Sequence, residues 1–388
     1  MSNLHINIGN FQKCKNGQNS FGDVFLTKFV KEENRRILVL SDGMGSGIKA
    51  NVLATLTASM ALNFVKDLKD VQHSSELIMN ILPKCSERKI SYSTFTILDI
   101  KDDNTVEMIV YDSPLPIILS KHGLERIKWE EIELHDGEHT GKQIFIGKYK
   151  ANLEDRIIFF TDGVTQSGIG LNSNIDGWEY NDVIKYIQDI LIRDKSISSK
   201  DLSAKIVHKA ELNDELKMKD DASCAAVFFR EPRELLICTG PPREKTRDME
   251  YSFKFKEFKG RRVVCGGTTA EILKRELDIK ELGQMKKIDE DLPPISFFEG
   301  VDLVSEGIMT LSKVEKILSL KWIADLKDGS AERIVKLILK NDKIKFLVGT
   351  ATNEYHHGLE YKMRIQIVKS IIELLEEKFL KNVDIEMF

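Results

Sequence analysis

The feature that most constrains this chain is an apolar strand that runs directly into an aspartate and a cluster of glycines. Residues 36–41 read RILVLS, and residues 41–47 read SDGMGSG. A carboxylate at the end of a buried strand is costly unless a neighbouring group offsets its charge. The arrangement recurs at residues 156–163, where RIIFFT ends in Asp162 and Gly163. A fold that brings these strand ends together therefore needs something to balance its carboxylates.

Hydrophobic spacing predicts helices and strands in two groups over the first 230 residues. A stripe recurring every fourth residue after SDGMGSG predicts a long helix that packs this stripe on the core: Ile48, Val52, Leu56, Met60, Phe64 and Leu68. Further helices are predicted at 74–82, 178–193 and 199–213, and further strands at 92–100, 105–111, 114–120, 124–128 and 223–229. This order predicts an α+β fold with two antiparallel sheets packed together and covered by helices.

The sequence changes character after residue 230. Three prolines and the charged stretch at residues 243–262 predict a boundary or linker. Three strand–loop–helix units follow, with helices expected from about residue 270, from about residue 310 and at 358–379, and they predict a small, mostly parallel α/β domain. A chain of 388 residues is too long for one ordinary domain. We therefore predict two domains, residues 1–230 and residues 231–388.

Four aspartates stand beside strands in the first domain and are candidate metal ligands. Asp23 lies in FGDVF, Asp42 in SDGMGSG, Asp162 in FFTDGV and Asp220 in KDDAS. Taken singly, each fits a structural turn, since Asp-Gly is a common turn pair. Four converging carboxylates would repel one another, and the hard oxygen ligands favour Mg²⁺ or Mn²⁺ as the balancing charge. Two such ions can activate a water for attack on phosphorus, and Gly43 would let its carbonyl approach one of them.

The order of these motifs resembles the PPM (PP2C-like) protein phosphatases, and most closely their bacterial SpoIIE/RsbU branch, over about residues 18–229. The resemblance implies an αββα sandwich with a two-metal centre between the sheets. It implies that Asp42 bridges the two ions and that Gly43 offers its carbonyl. Asp23 would serve the metal on that side, directly or through water. Asp162 and Asp220 would hold the second metal, so that Asp42, Asp162 and Asp220 form the catalytic set.

Two departures from the family pattern affect substrate contacts and leave the metal ligands in place. Residues 111–116 read YDSPLP where many relatives carry small residues with His or Asn, and we interpret Asp112 as a turn residue. No arginine stands out in the N-terminal segment as a phosphate ligand. Asp221 is a weaker ligand candidate than Asp220. The long helix begins at the metal loop, so a shift of this helix would move Asp42 and Gly43, although a rigid core helix explains its pattern equally well.

The expected function is that of a metal-dependent protein serine/threonine phosphatase acting on phosphoserine or phosphothreonine in bacterial signalling. The resemblance suggests a small regulatory phosphoprotein as substrate, such as an anti-sigma-factor antagonist of STAS type. The alternative is a non-catalytic signalling or binding module with a ligand-sensing C-terminal domain. A net charge of −4, without long runs of one sign, argues against nucleic-acid partners. Five scattered cysteines and the lack of a signal sequence or of an apolar run of about 18 residues predict a cytoplasmic protein without membrane contact.

The loop Gly266-Gly267-Thr268-Thr269 is a candidate binding site in the second domain. It follows a strand and opens a helix, so its backbone N–H groups and hydroxyls could bind an anion. A tight turn with a threonine cap explains the pattern equally well. The loops at 305–307 and 349–350 leave equivalent strands and are expected at the same sheet edge. We hypothesise a regulatory domain that binds a small anionic molecule there. A nucleotide-binding enzyme is disfavoured because the lysine and acidic partner of nucleotide motifs are missing.

Overall fold

The computed structural model describes residues 4–67, 93–133, 143–171, 176–284, 295–321, 326–351, 359–379 and 381–388. The chain divides into two compact units, Met1–Glu231 and Pro232–Phe388. The helix predicted at 74–82, together with Leu68 and Cys85, lies outside the described residues.

The first unit contains two groups of strands and several helices. Its described strands are β1 (His5–Lys13), β2 (Asp23–Val30), β3 (Arg35–Gly43), β4 (Ser93–Ile100), β5 (Thr105–Tyr111), β6 (Ile117–Ser120), β7 (Gly123–Glu125), β8 (Trp129–Glu133), β9 (Gln143–Lys150), β10 (Arg156–Phe160) and β11 (Ala222–Arg230). Its described helices are α1 (Gly47–Asp67), α2 (Asp162–Thr165), α3 (Tyr180–Arg193) and α4 (Ser199–Asn213).

These strands form two antiparallel sheets that pack face to face. Their orders are β1-β11-β10-β6-β7 and β2-β3-β4-β5-β9-β8. Buried side chains from both sheets share one apolar cluster, which includes Leu38 and Leu98 from one sheet and Phe159 and Val227 from the other. Helix α1 covers the outer face of the sheet that contains β3, and α3 and α4 cover the outer face of the other sheet. The predicted α+β fold, an αββα sandwich, is confirmed.

Helix α1 packs on its sheet through a face other than the predicted one. Ile48, Val52 and Leu56 are 75%, 59% and 48% exposed. The buried face carries mostly small residues instead: Gly47, Ala50, Ala54, Thr57, Ala58, Ala61, Leu62 and Val65. Small side chains let the helix axis approach the sheet closely. The prediction that the stripe of large residues faces the core is therefore wrong for its first half.

By length and composition alone, α1 is apolar enough to cross a membrane. Its row of small side chains nevertheless packs against the sheet, in a cluster that includes Ala58, Ala61 and Val65. This packing is that of a core helix in a globular domain.

The second unit is a mixed sheet covered by helices on both faces. Its described strands are β12 (Glu234–Thr239), β13 (Arg261–Cys265), β14 (Glu281–Gln284), β15 (Ser296–Phe298), β16 (Leu303–Ser305), β17 (Lys343–Val348) and β18 (Asn382–Met387). Its described helices are α5 (Asp248–Glu257), α6 (Gly267–Leu277), α7 (Ile308–Ser319), α8 (Ser330–Lys340) and α9 (Leu359–Glu377). The sheet order is β14-β15-β16-β13-β12-β17-β18, and the five adjacent strands β16, β13, β12, β17 and β18 are parallel to one another. The predicted, mostly parallel α/β architecture is confirmed.

The stretch predicted as a boundary or linker contributes β12, an interior strand of this sheet. Strand β12 lies between β13 and β17, and helix α5 follows it with Tyr251 and Phe255 buried. Pro232 and Pro241 lie just outside the strand, where they remove no hydrogen bond from the ladder. The stretch was predicted as a boundary or linker: the two units divide between Glu231 and Pro232, but the residues that follow are not a linker, because these prolines border a short apolar strand.

Candidate metal centre

Two of the predicted ligands face each other across neighbouring strands. Strands β2 and β3 pair antiparallel, with Asp23 directly opposite Asp42. Residues opposite each other in such a pair carry their side chains on the same face of the sheet, a few ångströms apart. The buried apolar residues of β3 fix this strand in the sheet and deliver Asp42 at its end. The register therefore brings the first two carboxylates together.

The other two predicted ligands come from the second sheet of the sandwich. Asp162 follows the end of β10 and opens the one-turn helix α2. Asp220 precedes β11, which pairs antiparallel with β10 so that Phe160 lies opposite Cys224. The end of β10 and the start of β11 are therefore neighbours, and Asp162 and Asp220 share one sheet end.

The electrostatics show that the four carboxylates share one site. Burial, followed by the charges of Asp23, Asp162 and Asp220, raises the pKa of Asp42 to about 10. Burial also raises the pKa of Asp162, with further repulsion from Asp220 and Asp112. Negative charges that raise the pKa of neighbouring carboxyls such as Asp42 and Asp162 form a site suited to a positive ion. The structure thus brings all four predicted residues together.

An orphaned oxygen of Asp23 fits the same conclusion. Asp23 is 1% exposed, and burial is the main reason why its pKa is raised to about 7. Its Oδ2 accepts a hydrogen bond of 2.9 Å from Thr161 Oγ1, whereas its buried Oδ1 has no hydrogen-bond partner within the described part of the chain. A buried carboxylate oxygen that lacks a donor can be satisfied by a metal ion or by its bound water.

The carboxylates do not form a closed cage. Over the part of the chain that the structure describes, no group of three or more Asp, Glu, His or Cys side chains is placed so that these side chains alone could hold a metal ion. This openness is compatible with Mg²⁺, which keeps several waters and takes only one or two carboxylates from a protein. The donors are all hard oxygens, which also suit Mn²⁺. The residues present therefore fit a hydrated divalent-metal centre better than an all-protein site.

The glycines that follow Asp42 and Asp162 are required by close packing. A Cβ on Gly43 would lie 2.1 Å from the carbonyl oxygen of Ala50 in α1. A Cβ on Gly163 would lie 2.0 Å from a backbone carbonyl oxygen just before β11. In each Asp-Gly pair, backbone from another segment of the chain therefore packs directly against the glycine that follows the aspartate.

Three uncharged side chains that the sequence analysis missed support Asp23. Thr161 Oγ1 donates to the Asp23 carboxylate and also accepts from the backbone N–H of Ser223 at 3.0 Å. Gln12 Nε2 donates to the Asp23 carbonyl at 3.2 Å and to Ser223 Oγ at 3.1 Å. Thr161 and Ser223 belong to the TDG and DDxS motifs, so their places in these motifs could have identified them from the sequence. Gln12 lies on β1, a strand that was not predicted.

The two further acidic candidates have different roles. Asp221 is buried, and its Oδ1 accepts a hydrogen bond of 3.1 Å from the backbone N–H of Lys15. It therefore holds the segment before β2, whereas half-buried Asp220 contributes charge to the site. Asp112 has a left-handed φ of 50° in the turn after β5, and its charge raises the pKa of Asp162. Asp112 thus shapes a turn at the rim of the cluster.

Comparison with known proteins decides the family. The family model described as "Stage II sporulation protein E (SpoIIE)" matches residues 32–230, just over half of the chain. The chain belongs to the SpoIIE family. Its first unit is accordingly a PP2C-type serine/threonine phosphatase domain of the SpoIIE/RsbU branch. No curated protein matches the chain.

Solved structures similar to this SpoIIE-family chain include two of SpoIIE from Bacillus subtilis. The first, its phosphatase domain, is 12% identical to this chain. The match covers 60% of this chain and 95% of the solved chain, with a TM-score of 0.44. The second, its PP2C domain with a fragment of the regulatory domain, is 17% identical. The match covers 58% of this chain and 64% of the solved chain, with a TM-score of 0.47. RsbX in complex with magnesium is 19% identical. The match covers 59% of this chain and 98% of the solved chain, with a TM-score of 0.40.

Proposed function

We propose that the first unit is a metal-dependent phosphatase that hydrolyses phosphoserine or phosphothreonine on a protein, using two divalent cations, Mn²⁺ or Mg²⁺. The observation that carries this proposal is the meeting of Asp23 and Asp42 from one sheet with Asp162 and Asp220 from the other, with one buried oxygen of Asp23 left without a donor. Asp23, Asp42, Asp162 and Asp220, together with the Gly43 carbonyl, would hold these ions. When bound, the ions supply Lewis acidity that makes a water nucleophilic and offsets charge on the phosphoryl oxygens.

The protein's own part in this chemistry is to fix the ligands before substrate arrives. Thr161 orients the Asp23 carboxylate from the other sheet. Gln166 Nε2 donates to Asp162 Oδ2 at 2.7 Å and fixes that carboxylate on the one-turn helix. Ligands held by such second contacts lose little freedom on binding, which raises both metal affinity and positional precision.

The test is hydrolysis of p-nitrophenyl phosphate and of a phosphoserine peptide, with and without Mn²⁺ or Mg²⁺. Wild type is expected to turn over only with metal, and Asp42→Ala and Asp162→Ala are expected to lose this activity. Asp182→Ala is the matched control, because Asp182 lies exposed on α3 in an ion pair with Lys185. Circular dichroism of each variant reports whether it is folded. Metal-independent turnover, or full activity in a folded Asp42→Ala protein, would contradict the proposal.

We infer that the substrate is a regulatory phosphoprotein, and the family suggests an anti-sigma-factor antagonist of STAS type. The alternative, a non-catalytic binding module, predicts phosphoprotein binding without release of phosphate in the same assay. We also propose a cytoplasmic location. It is supported by Cys224, Cys238 and Cys265, which are buried free thiols of the kind kept reduced in that compartment.

A further inference from the structure

The second unit has the strand order of a doubly wound sheet with a topological switch point. Along the chain, β12, β13 and β16 are added in one direction, whereas β17 and β18 are added on the other side of β12. Helices α5 and α6 pack on one face, and α7, α8 and α9 pack on the other. In sheets of this type, ligands bind outside the carboxyl ends of the strands. The edge that carries the GGTT loop is therefore the place to look for a site.

Two neighbouring helices begin at this edge, and they differ in how their first N–H groups are satisfied. The loops before α6 and α7 touch, since Gly266 N donates to Ser305 O at 2.9 Å. At α7, the Glu306 carboxylate accepts a hydrogen bond of 3.1 Å from Met309 N. At α6, the N-cap is Gly266, and no side chain caps the helix. Helix α7 thus carries its own anion, whereas α6 leaves its positive end open.

A buried hydroxyl without a partner points to the same end of α6. Thr269 is 1% exposed, and its Oγ1 has no hydrogen-bond partner among the residues that the structure describes. This Oγ1 lies 3.2 Å from the position that a Cβ on Gly266 would take, so the hydroxyl is directed at the N-cap residue. Gly266 has a φ of +132°, a conformation that other residues rarely adopt. Among the described residues, no atom lies within 4 Å of the position that a Cβ on Gly267 would take, so there is room beside the first residue of the helix.

A guanidinium lies on the other side of the switch point. Arg364 of α9 donates from Nη1 to the Gly349 carbonyl, which follows β17, at 3.3 Å. The same Nη1 would lie 2.3 Å from a Cβ on Gly240, which follows β12. Because β12 lies between β13 and β17, the guanidinium and the start of α6 lie at the same edge of the sheet, beside the ends of neighbouring strands. A molecule that extends along this edge can reach both.

We propose that this edge of the second unit binds a phosphate-bearing small molecule. The phosphate group accepts hydrogen bonds from the backbone N–H groups of Gly267 and Thr268 and from the Thr269 hydroxyl. The remainder of the molecule extends towards Arg364 across the ends of β13 and β12. The glycine pair gives the phosphate access to the backbone, and the open helix end supplies the favourable field.

The test is calorimetric titration of the full chain with inorganic phosphate and, separately, with ADP, in buffer free of divalent metals. Wild type is expected to bind. Thr269→Val is expected to weaken binding about tenfold, the effect of losing one hydrogen bond to a charged group. Thr310→Val is the matched control, because Thr310 holds the same third position in α7, is equally buried and also lacks a partner. This control is expected to bind like wild type.

A second variant tests the proposal independently of the buried threonine. Thr268 is exposed at the start of α6, so Thr268→Asp places a carboxylate where the phosphate would bind. It is expected to abolish phosphate binding while the melting temperature stays the same or rises, because an acidic residue favours a helix N-terminus. ADP that binds about tenfold tighter than phosphate would support a nucleotide-like ligand, and equal affinities would support recognition of the phosphate alone. Absence of binding to wild type, unchanged binding in Thr268→Asp, or equal losses in both valine variants would overturn the proposal.

Discussion

Removing the charge of Asp23 is expected to stabilise the metal-free protein while it impairs metal binding. Burial raises the pKa of Asp23 from 3.8 to about 7, so the folded state holds this proton more tightly than the unfolded state does. Its contribution to stability is therefore complete below pH 3.8 and is lost as pH rises through about 7. At about 1.4 kcal/mol per pKa unit, the raised pKa of Asp23 costs the fold about 4 kcal/mol at pH 8 and about 2 kcal/mol at pH 5.

The assay is thermal unfolding of wild type and Asp23→Asn between pH 5 and pH 8, without metal. For a unit of this size, about 4 kcal/mol corresponds to a rise in melting temperature of about 10 °C at pH 8, shrinking towards pH 5. Saturating Mn²⁺ is expected to stabilise wild type but to have little effect on the variant. An advantage that is absent at pH 8, or that does not shrink as pH falls, would refute the reasoning.

Asp99 provides the control, because it is a buried carboxylate of the same sandwich that has a cationic partner. Arg35 Nε donates to Asp99 Oδ1 at 2.7 Å, and Arg35 Nη2 donates to Asp99 Oδ2 at 2.8 Å. Asp99→Asn removes the carboxylate that pairs with two guanidinium nitrogens and leaves only Glu33, 3.3 Å from Arg35 Nη1, as an anionic partner, so it is expected to destabilise the protein by about 3 kcal/mol. The two substitutions should therefore have opposite signs at pH 8.

Three further predictions concern the surroundings of the site. Gly43→Ala forces a Cβ against the backbone of α1 and is expected to cost about 1–3 kcal/mol in thermal unfolding, with reduced activity; unaltered stability would argue against the close contact. On α1, Val52→Ser should change stability by no more than about 0.5 kcal/mol, whereas Ala58→Leu should cost about 1–3 kcal/mol by overpacking. A larger loss for Val52→Ser than for Ala58→Leu would indicate that the stripe of large residues faces the core after all. Asp220→Ala should abolish metal-dependent turnover at nearly unchanged stability, whereas Asp221→Ala should lose about 1 kcal/mol of stability, and equal losses of activity would contradict their separate roles.

The acidic cluster could be predicted from the sequence because each aspartate is tied to a local pattern. Asp42 and Asp162 end apolar strands, and such strands have few places in a sandwich other than its core. Gln12 could not be found in this way, since the alternation of apolar and polar residues at the start of β1 stops at Gly9 and does not extend to Gln12. Its importance follows only from the pairing of β1 with β11, which sets Gln12 opposite Ser223. Contacts that depend on register between distant strands leave no trace in local spacing.

The packed face of α1 could not be chosen from periodicity. Ile48, Val52 and Leu56 repeat every four residues, and so do Ala50, Ala54 and Ala58, displaced by two positions. Two positions correspond to about 200° around a helix, so the two stripes lie on opposite faces with the same period. Size favoured the first stripe, but the tight approach of α1 to Gly43 requires the second. Steric need at the metal loop overrode the hydrophobic signal.

The same contact links the position of α1 to the metal centre. The Ala50 carbonyl leaves no room for a side chain at Gly43, and Gly43 directly follows Asp42. Interiors packed this closely transmit displacement instead of absorbing it. A movement of α1 towards the sheet would therefore displace the loop that carries Asp42 and the Gly43 carbonyl. Because the charges of Asp162 and Asp220 from the opposite sheet also act on Asp42, such a movement would change the electrostatic balance among the carboxylates of both sheets.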